Sequence, residues 1–254
     1  MFGSMEWWLK SLLMRWGFVL KRRRQVMVRK PSVGRTLAPE DLMEAIHGTD
    51  VYKDFDFGSF PCHLQGWGGD SLAFAELIKE VRPALVIEVG TWKGASAVSM
   101  AEASLREGLS TRIVCVDTWL GALEFRMDQA DAERFQALEC RHGYPQVYYR
   151  FLANVCHRGH QHSIVPFPLD SASAALWFMS HGVKAGLIYV DASHEEEAVY
   201  QDLVDYRQLL AAGGRMFGDD WDWAGVRAAV STFARNYGLA ITHCHDKWVL
   251  SSTR

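Results

Sequence analysis

The chain has 254 residues, 49% of them hydrophobic and 22% charged, a balance that supports one large globular core. Its five cysteines are odd in number and form no Cys-x-x-Cys pair, which disfavours a disulfide scaffold and favours reduced thiols in a cytoplasmic protein. The net charge of −3 is unevenly divided. Residues 1–30 hold eight basic side chains and one acid, whereas the other 224 residues hold 19 basic and 29 acidic side chains. An acidic body argues against a broad nucleic-acid-binding surface.

We interpret residues 1–40 as a basic, tryptophan-rich arm and linker, followed by one domain at 41–254. Lys10 and Arg15 interrupt the arm before it reaches the roughly 20 apolar residues that a membrane-spanning helix needs. A secretory signal is not expected, because the basic cluster follows the apolar segment. Peripheral membrane contact through residues 5–30 is one hypothesis. The alternatives are docking on the body, docking on a partner subunit of a homo-oligomer, and a later start codon.

After the arm, irregular sequence gives way to alternating strand and helix patterns. In chain order the sequence predicts a linker at 31–39, a helical turn at 40–46, a long functional loop at 47–70, a helix at 71–81, a strand at 84–90, a helix at 95–105, a strand at 112–117, two helices within 127–154, a strand at 163–168, a helix at 173–179, a strand at 186–191, a helix at 194–210, a strand at 214–219, a helix at 223–236, and strands at 239–244 and 247–252.

Repeated strand-helix units predict a parallel sheet covered by helices on both faces. The last two strands are separated by so few residues that they must form an antiparallel hairpin. In such sheets ligands bind beside the carboxyl ends of the strands, at the point where the strand order reverses. The residues at these strand ends are therefore the first candidates for function.

An acidic residue stands at the end of each of the five strands that precede the hairpin. The set comprises Glu88, Asp117, Asp170, Asp191 and the pair Asp219 and Asp220. Any one of them has a plain structural explanation, because aspartate often caps the helix that follows a strand. Five together are harder to explain by capping alone.

The first strand leads into a glycine-containing turn with Gly90 and Gly94. Glycines there let the backbone approach a ligand and present helix N–H groups to it. The Gly-x-x-x-Gly spacing departs from the Gly-x-Gly-x-x-Gly of nicotinamide-binding proteins and is also typical of a plain strand-to-helix turn. Asp117 at the next strand end could accept both hydroxyls of an adenosine ribose, which strengthens the interpretation as a cofactor site.

Four segments, VIEVGTWKGASAVSMA, IVCVDTWLG, GLIYVDASHEEEAVYQDL and GGRMFGDDWDWAGVRAAV, resemble class I S-adenosylmethionine (SAM)-dependent methyltransferases. More narrowly they resemble the metal-dependent O-methyltransferases, in particular the macrocin and mycinamicin sugar enzymes and those named after cephalosporin hydroxylase. The resemblance covers about residues 65–250. It implies a Rossmann-like α/β fold, with a seven-stranded, mostly parallel sheet and a C-terminal antiparallel hairpin.

The resemblance also implies a site and a reaction, in which methyl passes from SAM to a hydroxyl of a sugar or small natural product with Mg²⁺ bound. Catalysis falls to His194, as base, with Asp191. The metal ligands implied are Asp191, Asp219 and Asp220. The residues implied to contact SAM are Glu88, Gly90 and Gly94 at methionine, Asp117 at ribose, and Asp170 and Ser171 at adenine, together with Thr91, Ser96, Thr118 and Asp191.

Elementary chemistry agrees with parts of this assignment. Mg²⁺ prefers oxygen ligands, and three crowded carboxylates without a cation would raise each other's pKa. A neutral imidazole, whose ordinary pKa is about 6.5, can take a proton from a hydroxyl near the metal. Ser193 and Glu196 form a capping-box pattern, so this segment is also expected to start a helix. Catechol-type enzymes commonly carry Asn where this chain has Asp220, so Asp220 favours the sugar-modifying group. The extra negative charge would make the metal a weaker acidifier of the bound hydroxyl, so a strong base at His194 becomes more necessary.

Other residues have competing interpretations. His157, His160 and His162 crowd together but lack finger spacing, so a polar loop is favoured over zinc. Trp221 and Trp223 are predicted either to wall the substrate site or to pack in the core, and the stretch from Gln65 to Trp67 is predicted to close over SAM. Two rival functions stay open: a non-catalytic scaffold attached to a membrane, and a metal-independent methyltransferase.

Overall fold

A computed structural model of the chain describes residues 36–122, 125 and 132–252. The predicted membrane contact at 5–30 lies outside these residues. The helices are α1 Leu42–His47, α2 Leu72–Val81, α3 Ala95–Arg106, α4 Ala132–Gln136, α5 Val147–His157, α6 Ser171–Ser180, α7 Glu196–Arg207 and α8 Ala224–Tyr237. The strands are β1 Leu85–Val89, β2 Arg112–Asp117, β3 Ile164–Pro168, β4 Ala185–Val190, β5 Leu210–Gly218, β6 Leu239–Cys244 and β7 Lys247–Ser252.

All seven strands form one sheet in the order β3-β2-β1-β4-β5-β7-β6. Neighbours among the first five strands pair in parallel, whereas β7 pairs antiparallel with both β5 and β6. The predicted Rossmann-like sheet with a C-terminal antiparallel hairpin is confirmed. Because the chain leaves β1 toward β2 and returns on the other side as β4, the switch point lies between β1 and β4.

Two helical layers cover the sheet, and the alternation of side chains along each strand decides which layer a residue meets. In β1, Leu85, Ile87 and Val89 join the core beneath α6, α7 and α8, whereas Val86 joins the core beneath α2, α3 and α5. Each large apolar side chain buried in these layers contributes about 1.5–3 kcal/mol. By the same alternation Glu88 lies on the side of Val86, facing the layer that contains α3.

The connecting segments also follow the predicted order. A 3₁₀ turn at Pro39–Asp41 leads into α1, and residues 48–70 are irregular apart from a 3₁₀ turn at Phe57–Ser59. Of the two helices expected within 127–154, the structure shows α4 and α5; residues 126–131 are not among those described. No helix within the described ranges is long and apolar enough to cross a membrane.

Candidate active site

A cavity of about 460 Å³ opens at the carboxyl ends of the parallel strands, beside the switch point. It is lined by the turn after β1, the ends of β2 to β5 and the loop before α2. Most of the predicted site residues lie on its wall, namely Gly90, Thr91, Ser96, Asp117, Thr118, Asp170, Ser171, Asp191, His194, Asp219 and Asp220. Gly90 and Asp220, which nine of the described strands and helices separate in the sequence, therefore meet at one opening.

Gly90 is required by close packing between two strand ends. Its φ is +82°, and a Cβ there would lie 2.1 Å from the carbonyl oxygen of Asp191. Any side chain would push β1 and β4 apart at the switch point, because neither backbone can move without losing its strand pairing. The lack of a side chain at Gly90 thus lets the turn after β1 lie against the backbone of Asp191.

Asp117 holds the glycine turn in place. Its Oδ2 accepts hydrogen bonds from the backbone N–H groups of Thr91 and Trp92 at 3.0 and 2.9 Å, and its Oδ1 accepts one from Trp119 at 2.7 Å. Burial raises the pKa of Asp117, although these backbone donors oppose the rise. The carboxylate predicted for ribose therefore also shapes the loop that would face methionine.

Glu88 lies behind the cavity wall and does not line it. The fully buried carboxyl accepts hydrogen bonds from Ser96 Oγ, from Thr91 Oγ1 at 2.6 Å and from Cys115 Sγ at 3.2 Å. Burial raises its pKa to about 7. The structure thus gives Glu88 a supporting position, one layer away from the methionine contact that the resemblance implies, because strand alternation points its side chain toward α3.

Gly94 also supports the wall without forming part of it. It precedes α3 with φ +86°, and a Cβ there would lie 2.9 Å from the Phe151 ring. On the adenine side of the predicted site, Asp170 caps α6, since its Oδ1 accepts from the Ser173 N–H at 2.9 Å. The backbone hydrogen bond from Ser173 lowers the pKa of Asp170. The capping explanation thus holds for Asp170, which nonetheless lines the cavity beside Ser171.

Three aspartates converge at the ends of β4 and β5. The Tyr189 hydroxyl donates to Asp191 Oδ2 at 2.9 Å and lies 3.3 Å from Asp219 Oδ2. Burial, followed by the charges of Asp219 and Asp220, raises the pKa of Asp191 well above its ordinary value. The half-buried Asp191 carboxylate therefore faces two further negative charges, the situation that a bound cation would relieve.

Lys247 pairs with one of these aspartates, a contact that sequence reasoning missed. Its fully buried Nζ lies 2.5 Å from Asp219 Oδ2 and 2.7 Å from Asp246 Oδ2. Burial alone would lower the pKa of Lys247, but the hydrogen bonds to both aspartates outweigh burial and raise it. The antiparallel register between β5 and β7 explains this contact. Gly218 of β5 pairs with Trp248 of β7, so the next residue along β5, Asp219, lies opposite Lys247.

The three aspartates are close but do not form a finished ligand cage. Among the described residues, the three-residue group whose ligand atoms all lie within 4.8 Å of one another is Glu76, Cys244 and His245, which lies outside the cavity. The donor chemistry at Asp191, Asp219 and Asp220 fits Mg²⁺, since all the candidate ligands are carboxylate oxygens. Ordered coordination would require their side chains to move closer together.

His194 is held from two sides. Its Nε2 lies 2.9 Å from Asp220 Oδ2, and its ring stacks on Trp223 with centroids 4.1 Å apart and planes 11° apart. Burial would raise the pKa of Asp220, but the hydrogen bond and charge of His194 outweigh it and lower that pKa. Gly225 permits this arrangement, because a Cβ there would lie 2.2 Å from the His194 carbonyl oxygen.

The predicted capping box at Ser193 and Glu196 is wrong. Helix α7 begins at Glu196, and its N-cap residue is Glu195, whose side chain makes no capping hydrogen bond. Ser193 Oγ instead accepts from the Glu195 N–H at 3.2 Å. Ser193 thus bonds the backbone only two residues further along and does not reach the first turn of the helix. The segment before α7 is therefore not helical, and His194 reaches the cavity.

Loop residues that precede α2 close one side of the cavity, in line with the prediction for Gln65 to Trp67. Gln65, Gly66, Trp67 and Gly69 line it. Gly68 has φ +64°, and a Cβ there would lie 2.6 Å from Lys247 Nζ and 2.9 Å from Asp219 Oδ2. The loop thus packs directly on the buried ion pair.

Of the residues with competing interpretations, Trp223 lines the cavity and is 45% exposed, whereas Trp221 packs edge-on against His243. The histidines at 157, 160 and 162 have other surroundings. His157 lies 2.9 Å from the Phe60 carbonyl oxygen, and the buried His160 lies 3.9 Å from Glu102. His157 is the last residue of α5 and His160 is buried, so these two histidines do not belong to the predicted polar loop.

The fold and the cavity at its switch point define the class: a Rossmann-like, class I methyltransferase domain. The sequence matches a family described as a methyltransferase domain over residues 87–221. Because this match covers more than half of the chain, the protein belongs to that methyltransferase family. The predicted recognition as a class I SAM-dependent methyltransferase is confirmed.

Solved structures with similar folds include CalS11, a calicheamicin methyltransferase, at 20% identity and a TM-score of 0.50, covering 70% of this chain and 75% of that one. The O-methyltransferase NovP has 14% identity and a TM-score of 0.49, covering 71% and 78%. A methyltransferase from Geobacter sulfurreducens has 16% identity and a TM-score of 0.48, covering 76% and 81%. At these identities the likeness concerns the fold. No curated protein matches the chain in sequence.

Proposed function

We propose that this methyltransferase transfers a methyl group from SAM to a hydroxyl of a sugar or another small natural product, and that a divalent cation takes part. One observation carries the proposal. His194, held by Asp220 and Trp223, reaches the same cavity as the glycine turn and Asp191. A base thus lies beside three carboxylates that could bind a cation. It shares one cavity with the glycine turn, where the cofactor would bind.

His194 is the residue that can accept the proton of the acceptor hydroxyl. Asp220, 2.9 Å from its Nε2, would stabilise the imidazolium that results. Stacking on Trp223 restricts rotation of the imidazole, so that little ordering remains when an acceptor binds. General-base catalysis from such a positioned group contributes about 10²- to 10⁴-fold to rate.

The cofactor would be held by the turn after β1 and the ends of β2 and β3. SAM supplies a methyl group on a sulfonium, which makes the methyl electrophilic without further activation. Thr91 and Ser96 present hydroxyls on the cavity wall, and Gly90 keeps the turn against Asp191. In this arrangement Asp117 would contact the ribose and Asp170 would lie beside the adenine.

The cation would be held by Asp191, Asp219 and Asp220, and Mg²⁺ is the ion that fits their oxygens. When bound, it would supply positive charge beside the acceptor oxygen. The support is electrostatic: desolvation and two neighbouring carboxylates raise the pKa of Asp191. Lys247 offsets the charge of Asp219, which brings the net charge of the ligand group closer to that of a divalent ion.

A metal-independent methyltransferase is the second candidate, and the same lysine favours it. With Asp219 already paired at 2.5 Å, part of the negative charge is compensated without an ion. In that case His194 and Asp220 would act alone as the base pair. The two candidates differ in one measurable property, the response of methyl transfer to removal of divalent cations.

Calorimetry with S-adenosylhomocysteine, with and without Mg²⁺, is the first test. We expect stoichiometric binding, and an absence of binding would remove the cofactor assignment. A screen of sugar, phenol and other hydroxyl acceptors with labelled SAM follows. Methylation that survives both EDTA and Asp219→Ala would overturn the cation while leaving the methyltransferase in place.

The remaining partner hypotheses need separate tests. We propose peripheral membrane contact through residues 5–30, a small-molecule acceptor and no nucleic-acid partner. Liposome co-sedimentation of the full chain against a chain starting at Met27 tests the first, and equal pelleting would contradict it. Light scattering of the full chain tests the proposed homo-oligomer, which a monomeric mass would contradict.

A further inference from the structure

A group of metal-ligating side chains lies outside the cavity, where α2 meets the turn between β6 and β7. Glu76 comes from α2, Cys244 ends β6, and His245 lies in the turn. One ligand atom from each of the three lies within 4.8 Å of the other two. Sulfur, imidazole nitrogen and carboxylate oxygen are the three ligand types that zinc takes in proteins.

The spacing of these atoms already approaches that of a coordination sphere. Cys244 Sγ donates to Glu76 Oε2 at 3.3 Å, and His245 Nε2 lies 2.8 Å from Glu76 Oε1. In a tetrahedral zinc site with bonds of about 2.0–2.3 Å, neighbouring ligand atoms lie roughly 3.3–3.8 Å apart. Small side-chain movements would therefore suffice. They are inexpensive, because the side chains of Glu76 and His245 are 64% and 38% exposed.

We propose that Glu76, Cys244 and His245 bind a transition-metal cation of the zinc type, with water in the fourth position. On binding, the thiol of Cys244 loses its proton to solvent and forms a sulfur-metal bond, and no electrons are transferred. The proposal concerns a second site and does not depend on the methyl-transfer reaction.

The charges around Cys244 favour a cation. Glu76 lies directly beside Cys244, and the carboxylates of Glu80 and Asp246 also act on this thiol electrostatically. The thiol is thus surrounded by acids that oppose a bare thiolate and would be neutralised in part by a divalent ion. Asp246 is not counted as a fourth ligand, because its Oδ2 already accepts a hydrogen bond from Lys247 Nζ at 2.7 Å and its Oδ1 accepts one from Ser71. Water would therefore take the fourth position.

An ion at this position would join α2 to the β6–β7 turn. Ser71 precedes α2 and its hydroxyl donates to Asp246 in the same turn, so the ion would reinforce an existing contact. The turn also carries Lys247, whose ammonium holds Asp219. Because a cation that binds only the folded chain stabilises it by mass action, zinc is expected to raise the melting temperature.

Titration of the full-length chain with Co²⁺ tests the proposal through a readout specific to sulfur. A cobalt-thiolate bond gives a ligand-to-metal charge-transfer band that oxygen and nitrogen ligands do not give. We expect this band to saturate at one Co²⁺ per chain, to vanish in Cys244→Ser and to compete away with Zn²⁺. Cys62→Ser, which removes an exposed thiol elsewhere in the chain, is the control and should keep the band.

Two further variants separate this site from the cavity. Asp191→Asn should leave the cobalt-thiolate band unchanged, because Asp191 belongs to the other group of carboxylates. Glu76→Gln, on an exposed side chain, should weaken Zn²⁺ at least about tenfold and reduce the zinc-dependent rise in melting temperature. Absence of the band in the unmodified chain, or its persistence in Cys244→Ser, would overturn the proposal.

Discussion

The two halves of the cavity differ in how their charges are compensated. In the proposed cofactor half, formed by the ends of β1 and β2 and the side chains behind them, Glu88 accepts three side-chain hydrogen bonds and Asp117 accepts three backbone hydrogen bonds. In the carboxylate half, formed by the ends of β4 and β5, Asp191 faces two more aspartates, and the buried cation is Lys247 on Asp219. The first half is complete as it stands, whereas the second retains an excess of negative charge.

This difference indicates how each half works. Hydrogen bonds that are already made hold the glycine turn in one shape, so that a cofactor meets a preformed surface. Crowded carboxylates cannot relax in this way, because the unfavourable energy comes from their mutual repulsion. The carboxylate half therefore gains most from an arriving cation, and the following predictions probe each half in turn.

The largest effect is expected at His194 in the carboxylate half. His194→Ala removes the proposed base and should lower kcat by about 10²- to 10⁴-fold while leaving the affinity for S-adenosylhomocysteine unchanged. His162→Ala, at an exposed histidine outside the cavity, is the control. Unchanged methyl transfer in His194→Ala, once an acceptor is known, would remove His194 as the base.

Lys247 is the next most sensitive position. Lys247→Met leaves Asp219 without its cationic partner, and breaking a buried ion pair typically costs about 3–5 kcal/mol. Urea unfolding measures the loss. Arg215→Ala breaks a pair with Glu80 whose side chains are 35% and 56% exposed, so it should change stability by less than about 1 kcal/mol. Equal losses in the two variants would mean that the buried pair is no stronger than a surface pair.

In the cofactor half, Glu88 should make stability depend on pH. Folding raises its pKa from 4.5 to about 7, so the folded chain keeps a proton that the unfolded chain releases between these values. Stability should therefore fall by roughly 3 kcal/mol as pH rises from about 4.5 to 7. Glu88→Gln should remove this contribution. Urea unfolding at pH 5 and pH 8 measures it, and identical pH dependence in both chains would contradict the prediction.

The smallest effects compare two serines before helices. Ser71 caps α2, since its Oγ accepts from the Ala73 N–H at 3.2 Å, and Ser71→Ala should cost about 1 kcal/mol. Ser193 does not cap α7, so Ser193→Ala should cost less than about 0.5 kcal/mol. Thermal unfolding of the two variants compares them. A larger loss at Ser193 would restore the capping box that the structure excludes.

Much of the site could be predicted because it depends on local sequence. Buried apolar runs predict parallel strands, and residues at their carboxyl ends must meet at one edge of the sheet. Asp117, Asp191 and Asp219 were found in this way. The sequence position of Glu88 could not predict that its carboxyl lies behind the cavity wall. That outcome depends on which helical layer covers its face of β1. The Ser-x-x-Glu pattern at Ser193 predicts the start of α7 wrongly, because Gly225 packs on the His194 carbonyl and this contact depends on the tertiary structure.

The strands, the helices and the acidic strand ends follow from periodicity, which is a property of neighbouring residues, and the family follows from the resemblance of four segments. Which charges are compensated depends on the tertiary structure. Lys247 reaches Asp219 because β7 inserts between β5 and β6, and Trp223 covers His194 because α8 packs on the segment before α7. Such pairings depend on strand order and register, which bring together residues that no local pattern connects.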